Sequence, residues 1–80
     1  MKRLVNGTSF SPIFTEGNKK TINVSRWGYP FGQMWTWKDT KTEQHPWHVK
    51  TLNGNHTHFW PKDCVNAKYD AMDWIEHQPD

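Results

Sequence analysis

Four of the five histidines fall in one short stretch, at positions 45, 48, 56 and 58. Imidazole is a common zinc ligand, and a zinc site needs three or four ligands converging at about 2.0–2.3 Å. The spacings His45-x2-His48 and His56-x-His58 are compatible with ligation but match no closed zinc-site pattern. We therefore favour neutral histidines in half-exposed sheet positions, and we predict no cofactor. A histidine-based metal site or a nuclease-like site is the second alternative.

Cys64 is the one thiol in the sequence, so it cannot form an intrachain disulfide and no Cys-rich zinc module is present. It falls in the first turn of a predicted helix, where the helix dipole lowers a thiol pKa. The same position lies at the centre of the apolar arc of that helix, where cysteine usually packs as a small apolar side chain. We predict a core role for Cys64, no catalytic residues, and a protein that is not an enzyme.

The six tryptophans include two that are spaced for one face of a strand. Trp35 and Trp37 are two residues apart, and alternate residues of a strand point to the same side. Exposed indole rings beside cations can stack on bases or act as hot spots of a protein interface. The predicted partner-binding sheet face comprises Arg26, Trp35, Trp37, Lys38, His48 and Lys50.

The elements that position these side chains centre on a hairpin. Asn53-Gly54 between alternating runs is the strongest short hairpin signal, because both residues tolerate the positive φ of a type I′ turn. A two-residue loop would pair Trp47 with Trp60 and Val49 with His58. One face would carry Trp47, Val49, Thr51, His56, His58 and Trp60, and the other would carry His48, Lys50, Leu52, Asn55, Thr57 and Phe59. Neither face is cleanly apolar, so we expect one to be a contact surface.

A helix is predicted from about 62 to 77, because Pro61 and Asp63 favour a helix start and the following residues have a helical period. Its apolar arc comprises Cys64, Val65, Ala67, Ala71, Met72, Trp74 and Ile75. An acidic helix face with Asp70, Asp73 and Glu76 is the second predicted partner-binding surface. Those carboxylates could mimic phosphate and occupy a basic groove.

The rest of the chain contains strand and turn signals. Lys2–Val5 and Thr8–Phe14 flank a second predicted hairpin turn at Asn6-Gly7, and Pro12 places the returning strand at an edge. The alternating run 20–27 predicts a strand, and the Gly/Pro-rich segment 28–32 predicts a break. The sequence therefore predicts an α+β domain over residues 1–80. It has an antiparallel sheet of four to five strands, with one C-terminal helix packed on one face.

Composition and charge narrow the classes of partner. The net charge is only +2, but residues 1–50 carry eight Lys/Arg against three Asp/Glu, and residues 51–80 carry two against five. This distribution predicts a bipolar surface. No apolar run approaches 18 residues and no signal-peptide core follows Lys2-Arg3. We expect a cytoplasmic protein without membrane association, either a monomer or a homodimer.

No P-loop, RNP-like aromatic motif, zinc-finger spacing or catalytic-triad order is present. The sequence therefore favours a small non-enzymatic binding protein. Small motif-free chains of this kind are common among phage and mobile-element proteins. Our first hypothesis is accordingly a stoichiometric protein inhibitor or adaptor acting on host nucleic-acid machinery, for example a defence nuclease or a CRISPR complex. The alternative is a nucleic-acid-binding module that uses the basic, Trp-rich sheet face.

Overall fold

Alternating apolar and polar residues form six antiparallel strands, and one helix follows them in the part of the chain that is described. A computed structural model describes residues 7–63 and 66–79. The elements are β1 (Thr8–Phe10), β2 (Phe14–Glu16), β3 (Lys19–Arg26), β4 (Tyr29–Trp37), β5 (Trp47–Thr51), β6 (His56–Phe59) and α1 (Ala67–Glu76). The predicted strand 2–5, the Asn6 half of the Asn6-Gly7 turn, Cys64 and Val65 lie outside the described residues. The predicted α+β fold is confirmed.

The sheet order is β1-β3-β4-β5-β6, with β2 also paired to β3. β1 and β2 lie end to end along the same edge of β3, opposite residues 24–26 and 19–21 respectively. Pro12 lies between them, and proline has no N–H to continue the ladder. The edge strand is therefore split in two, which is why the sheet has six strands rather than four to five.

The β3–β4 hairpin turns at Trp27-Gly28. Both residues have positive φ, 53° and 85°, as a type I′ turn requires. The predicted break over residues 28–32 was wrong, because β4 already begins at Tyr29. A register shift between Val24 and Ser25 absorbs the irregular segment, with Val24 opposite Gly32 and Ser25 opposite Pro30. The glycine and proline residues produce a tight turn and a bulge without interrupting the strand.

The β5–β6 hairpin has a three-residue loop, so the predicted two-residue loop was wrong. Thr51 N donates to Asn55 O at 2.8 Å, and Gly54 N donates to Thr51 O at 3.1 Å. Gly54 has φ 102°, as in a turn followed by a left-handed residue. The Thr51 hydroxyl also accepts from Asn55 N at 3.1 Å, which fixes this longer loop.

The longer loop moves the register by one residue. Trp47 pairs with Phe59, His48 with His58, Val49 with Thr57 and Lys50 with His56. Because side chains alternate, this one-residue difference reassigns every residue of β6 to the other face. The mixed faces predicted from the sequence therefore separate into one face rich in apolar residues and one rich in histidine.

The core lies between the sheet and α1. Its buried members are Ile22, Val24, Met34, Val49, Ala71 and Ile75, each no more than 2% exposed. Phe10, Phe31, Trp47, Phe59, Met72 and Trp74 pack around it. Large rings around a small aliphatic centre compensate for a low hydrophobic content of 34%.

The helix begins later than predicted. Asp63 N donates to Trp60 O at 3.0 Å, so Pro61 and Lys62 occupy a separate turn. Asn66 flanks the helix start with φ −147°, and its carbonyl accepts from Asp70 N at 3.0 Å. Within residues 7–63 and 66–79, no helix has the length and apolar character needed to cross a membrane.

Candidate functional site

The sheet face opposite α1 presents a continuous set of aromatic, basic and polar side chains, which we name the open face. Strand alternation and register place the following residues on it: Lys19, Thr21, Asn23 and Ser25 of β3; Gln33, Trp35 and Trp37 of β4; His48 and Lys50 of β5; and His56 and His58 of β6. Trp35 and Trp37 share this face. His48 was predicted to lie on the face opposite His56 and His58, but all three lie on the open face.

His48 is the centre of an aromatic platform, which we define as Trp35, Trp37, His48, His56 and His58. The His48 ring centroid lies 5.4 Å from Trp35, 5.9 Å from Trp37 and 5.7 Å from His56. It lies 5.8 Å from His58. The cross-strand pairs Trp35–His48 and His48–His58 produce this arrangement directly.

Three rings of the platform are nearly parallel. Trp35 makes interplanar angles of 16° with His48 and 6° with His56, and the two imidazoles make 11° with each other. Their centroid separations all fall between 5.4 and 6.0 Å. Three neighbouring strands therefore each contribute one ring to a common orientation. This arrangement suits the stacking of a further planar group.

Cations border the platform on two sides. Lys19 Nζ lies 5.8 Å from the Trp35 ring centroid and 5.7 Å from that of Trp37. Lys50 lies between its cross-strand partners Gln33 and His56. Two lysines beside electron-rich rings favour a planar ligand that carries negative charge.

The carboxylates near this face lie at its margins. Glu16 is the cross-strand partner of Lys19 at the β2–β3 turn. Glu43 Oε1 lies 3.4 Å from His45 Nε2 in the loop before β5, and the His45 ring packs 6.1 Å from Trp37. The open-face residues of β3 to β6 include no Asp or Glu, so the central part of the face attracts anions.

The His48 imidazole is partly buried and lies beside other imidazoles. Its Nδ1 is buried and has no hydrogen-bond partner among the described residues. Burial lowers the pKa of His48 below its ordinary value of 6.5, and repulsion from His56, His58 and His45 lowers it further. The lowered pKa favours the neutral form of His48, which stacks between Trp35 and His56.

The histidines do not converge on a common point. In the described part of the chain, no three side chains of His, Cys, Asp or Glu approach one another closely enough to hold a metal ion. His48 and His56 stack on neighbouring rings, whereas His45 and His58 make tilted or edge contacts. The geometry favours the use of these imidazoles as planar surfaces.

Arg26 was assigned to the open face, and this was wrong. It is 4% exposed and lies on the core side of β3. Its guanidinium donates to Thr8 Oγ1 at 2.9 Å, to Ile75 O at 3.1 Å and to Glu76 O at 3.2 Å. It also lies 3.7 Å from the centroid of the Phe31 ring. The carbonyls at the C-terminal end of a helix need donors and favour a cation, and Arg26 supplies both.

The remaining residues that were predicted to bind a partner lie on different parts of the surface. Lys38 lies just beyond β4, exposed, with its amide donating to Asn18 O at 2.8 Å. Asp70 and Asp73 are exposed on the outer side of α1, whereas Glu76 is buried at 9% exposure. Glu76 was therefore wrongly placed on the acidic helix face, which retains Asp70 and Asp73.

A cleft of about 340 Å³ opens beside the platform at the end of the β4–β5 pair. It is lined by Gly32, Gln33, Trp35, Lys50, Thr51 and Leu52. Sequence reasoning missed Gln33, Asn23 and Lys19 as members of the open face. Strand alternation around Trp35 would have indicated Gln33, whereas Lys19 and Asn23 required the β3–β4 register.

Comparison with known proteins gives no identity to carry over to this face. No protein-family model, curated protein or solved structure matches the chain.

Proposed function

We propose that this protein is a small non-enzymatic binding protein and that its open face binds single-stranded nucleic acid. The observation that carries the proposal is the set of nearly parallel rings Trp35, His48 and His56, with Lys19 and Lys50 beside them. Aromatic side chains on a sheet surface are a common way to hold two or three unpaired bases. Lysines beside them neutralise the phosphates.

Stacking is expected to supply much of the affinity. Trp37 is 37% exposed and Phe14, opposite Thr21 at the edge, is 59% exposed. Each ring that accepts a base contributes about 1–3 kcal/mol with little dependence on sequence. A double helix hides the faces of its bases, so a flat aromatic surface favours single strands.

The proposal is tested by fluorescence anisotropy with labelled 12-nucleotide single-stranded DNA and RNA, and with a duplex of the same length. We expect single strands to bind more tightly than the duplex. Neutralising about two phosphates of a single strand, one at each lysine, should give a slope of about −1.4 in log affinity against log salt.

Single substitutions test which surface of the protein contacts the oligonucleotide. Trp37→Ala should weaken single-strand binding by about 5- to 150-fold, which corresponds to one lost stacking contact. Tyr69→Ala is the matched control, because Tyr69 is an exposed aromatic residue (58%) on α1, away from the open face. Circular dichroism confirms that both variants fold. A flat titration with every oligonucleotide, or equal losses in the two variants, would contradict the proposal.

A second candidate is the stoichiometric protein inhibitor or adaptor of the phage type. It is favoured by the exposed side of α1, where Asp70 and Asp73 lie near exposed Tyr69. If this surface mimics phosphate, Asp70→Asn with Asp73→Asn should abolish recovery of a protein partner in a pull-down and leave anisotropy with oligonucleotides unchanged. Recovery that is unaffected by the double variant would count against this candidate.

A further inference from the structure

We propose that the cleft beside Trp35 holds a single nucleobase of the bound strand, with the adjoining phosphate at Lys50. This inference rests on the proposed function and specifies which part of the open face distinguishes one base from another. Stacking on the platform does not distinguish one base from another, whereas the cleft presents hydrogen-bonding groups that can.

The strand register builds the cleft. Gln33 and Lys50 are direct cross-strand partners, and Trp35 follows two residues after Gln33 on the same face. Leu52 forms the outer rim, with its amide held to Phe31 O at 2.9 Å and its side chain 71% exposed. A planar group that enters the cleft therefore meets an indole wall, an amide and an ammonium group together. A volume of about 340 Å³ is near the lower end for ligand pockets, about 300–1,000 Å³, and suits one small planar group.

The Gln33 amide is held in place by a hydrogen bond to a neighbouring side chain. Its Nε2 donates to Asn23 Oδ1 at 3.0 Å, and Asn23 is its cross-strand partner on β3. A primary amide has two N–H donors and one carbonyl acceptor, so this bond leaves one donor and the carbonyl for a ligand. An adjacent donor and acceptor in one plane is the pattern that Gln and Asn use to read the edge of a base.

The charge of the lining selects the occupant. Lys50 is the one charged side chain among the six residues that line the cleft, and no carboxylate is among them. His56 is the cross-strand partner of Lys50 and its ring is parallel to that of Trp35. This combination favours a planar group attached to an anion, and a nucleotide within a strand meets both conditions.

The experiment compares anisotropy affinities for four single-stranded 12-mers: dA12, dC12, dT12 and an abasic 12-mer of the same charge. For the unmodified protein we expect the best base-bearing strand to bind about tenfold more tightly than the weakest base-bearing strand, as one bidentate contact predicts. The abasic strand should bind weakest of all. Gln33→Ala should reduce the difference among the three bases to within about threefold.

The Trp37→Ala variant distinguishes base recognition by hydrogen bonds from base stacking. Trp37→Ala should weaken all three base-bearing strands by a similar factor and preserve the ratios among them. Equal affinities for dA12, dC12 and dT12, or ratios unchanged in Gln33→Ala, would overturn the base-reading cleft while the proposed function stands. Failure of the unmodified protein to bind any of these strands, or the corresponding RNA strands, would overturn both.

Discussion

The two faces of the sheet are built from the same strands but satisfy different physical requirements. On β5, Val49 is completely buried against α1, whereas its neighbour His48 stacks among the rings of the open face. Every core residue finds apolar contact, and Arg26, a cation on that side, finds carbonyl and hydroxyl acceptors. The open face instead keeps the His48 Nδ1, which has no hydrogen-bond partner in residues 7–63 and 66–79, and the exposed Trp37.

This contrast indicates that the core face stabilises the fold, and it favours the open face as the proposed binding surface. Burial of apolar side chains stabilises the core face, because each methyl group that is removed from water makes folding more favourable. The open face exposes rings and clusters three imidazoles without an evident gain in stability. Departures from local optimisation of this kind are expected where a surface serves binding. Substitutions on the two faces should therefore affect different measurements.

The largest expected effect is at Arg26. Arg26→Ala should lower the free energy of unfolding by about 3–5 kcal/mol, because Thr8 and two carbonyls at the end of α1 lose a charged donor. Urea denaturation followed by circular dichroism measures this loss. Lys50→Ala is the matched control on the open face and should change stability by less than about 0.5 kcal/mol. Equal losses in the two variants would remove the distinction between the faces.

A pair of substitutions on β4 compares adjacent positions. Met34→Ala should cost about 2–5 kcal/mol in the same measurement, because Met34 is fully buried and the truncation leaves a cavity. Gln33→Ala should cost less than about 0.5 kcal/mol, since Gln33 is exposed on the other face. A comparable loss at Gln33 would show that the open face also stabilises the fold.

A substitution at Gly32 tests how closely β4 and β5 must approach each other beside the cleft. A Cβ at this position would overlap the carbonyl oxygen of Lys50 and lie 3.0 Å from Ile75 Cδ1. Gly32→Ala should therefore cost about 1–3 kcal/mol, as overpacking does. The urea midpoint measures this cost, and an unchanged midpoint would mean that the β4–β5 pair adjusts freely at this point.

The smallest effect is a dependence of stability on pH. Burial and neighbouring imidazoles lower the pKa of folded His48 below 6.5, so below that pH the unfolded chain binds more protons at this position. The His48 contribution is fully present above pH 6.5. It declines as the pH falls from 6.5 to the lowered pKa of the folded state. His48→Gln should flatten the profile of unfolding free energy between pH 7.5 and 5, and an unchanged profile would contradict this origin.

The helix and the strands show what can be predicted from the spacing of apolar and aromatic residues alone. Ala67, Ala71 and Ile75 recur at helical spacing, and all three are buried in the structure. Trp35 and Trp37 alternate on a strand and share a face. Patterns of this kind depend on the few residues around each position, so they are readable without knowledge of the rest of the chain.

The fold class, the C-terminal helix and the shared face of Trp35 and Trp37 can be predicted from the sequence alone, because backbone period and side-chain polarity are local properties. The tertiary structure decided the register of the histidine hairpin, since the Thr51 hydroxyl bonding to Asn55 N selects a three-residue loop. It also decided the burial of Arg26, whose acceptors Thr8 and Ile75 are 18 and 49 residues away. One hydrogen-bonded loop therefore determines which residues of β6 share the core side and which lie on the open face.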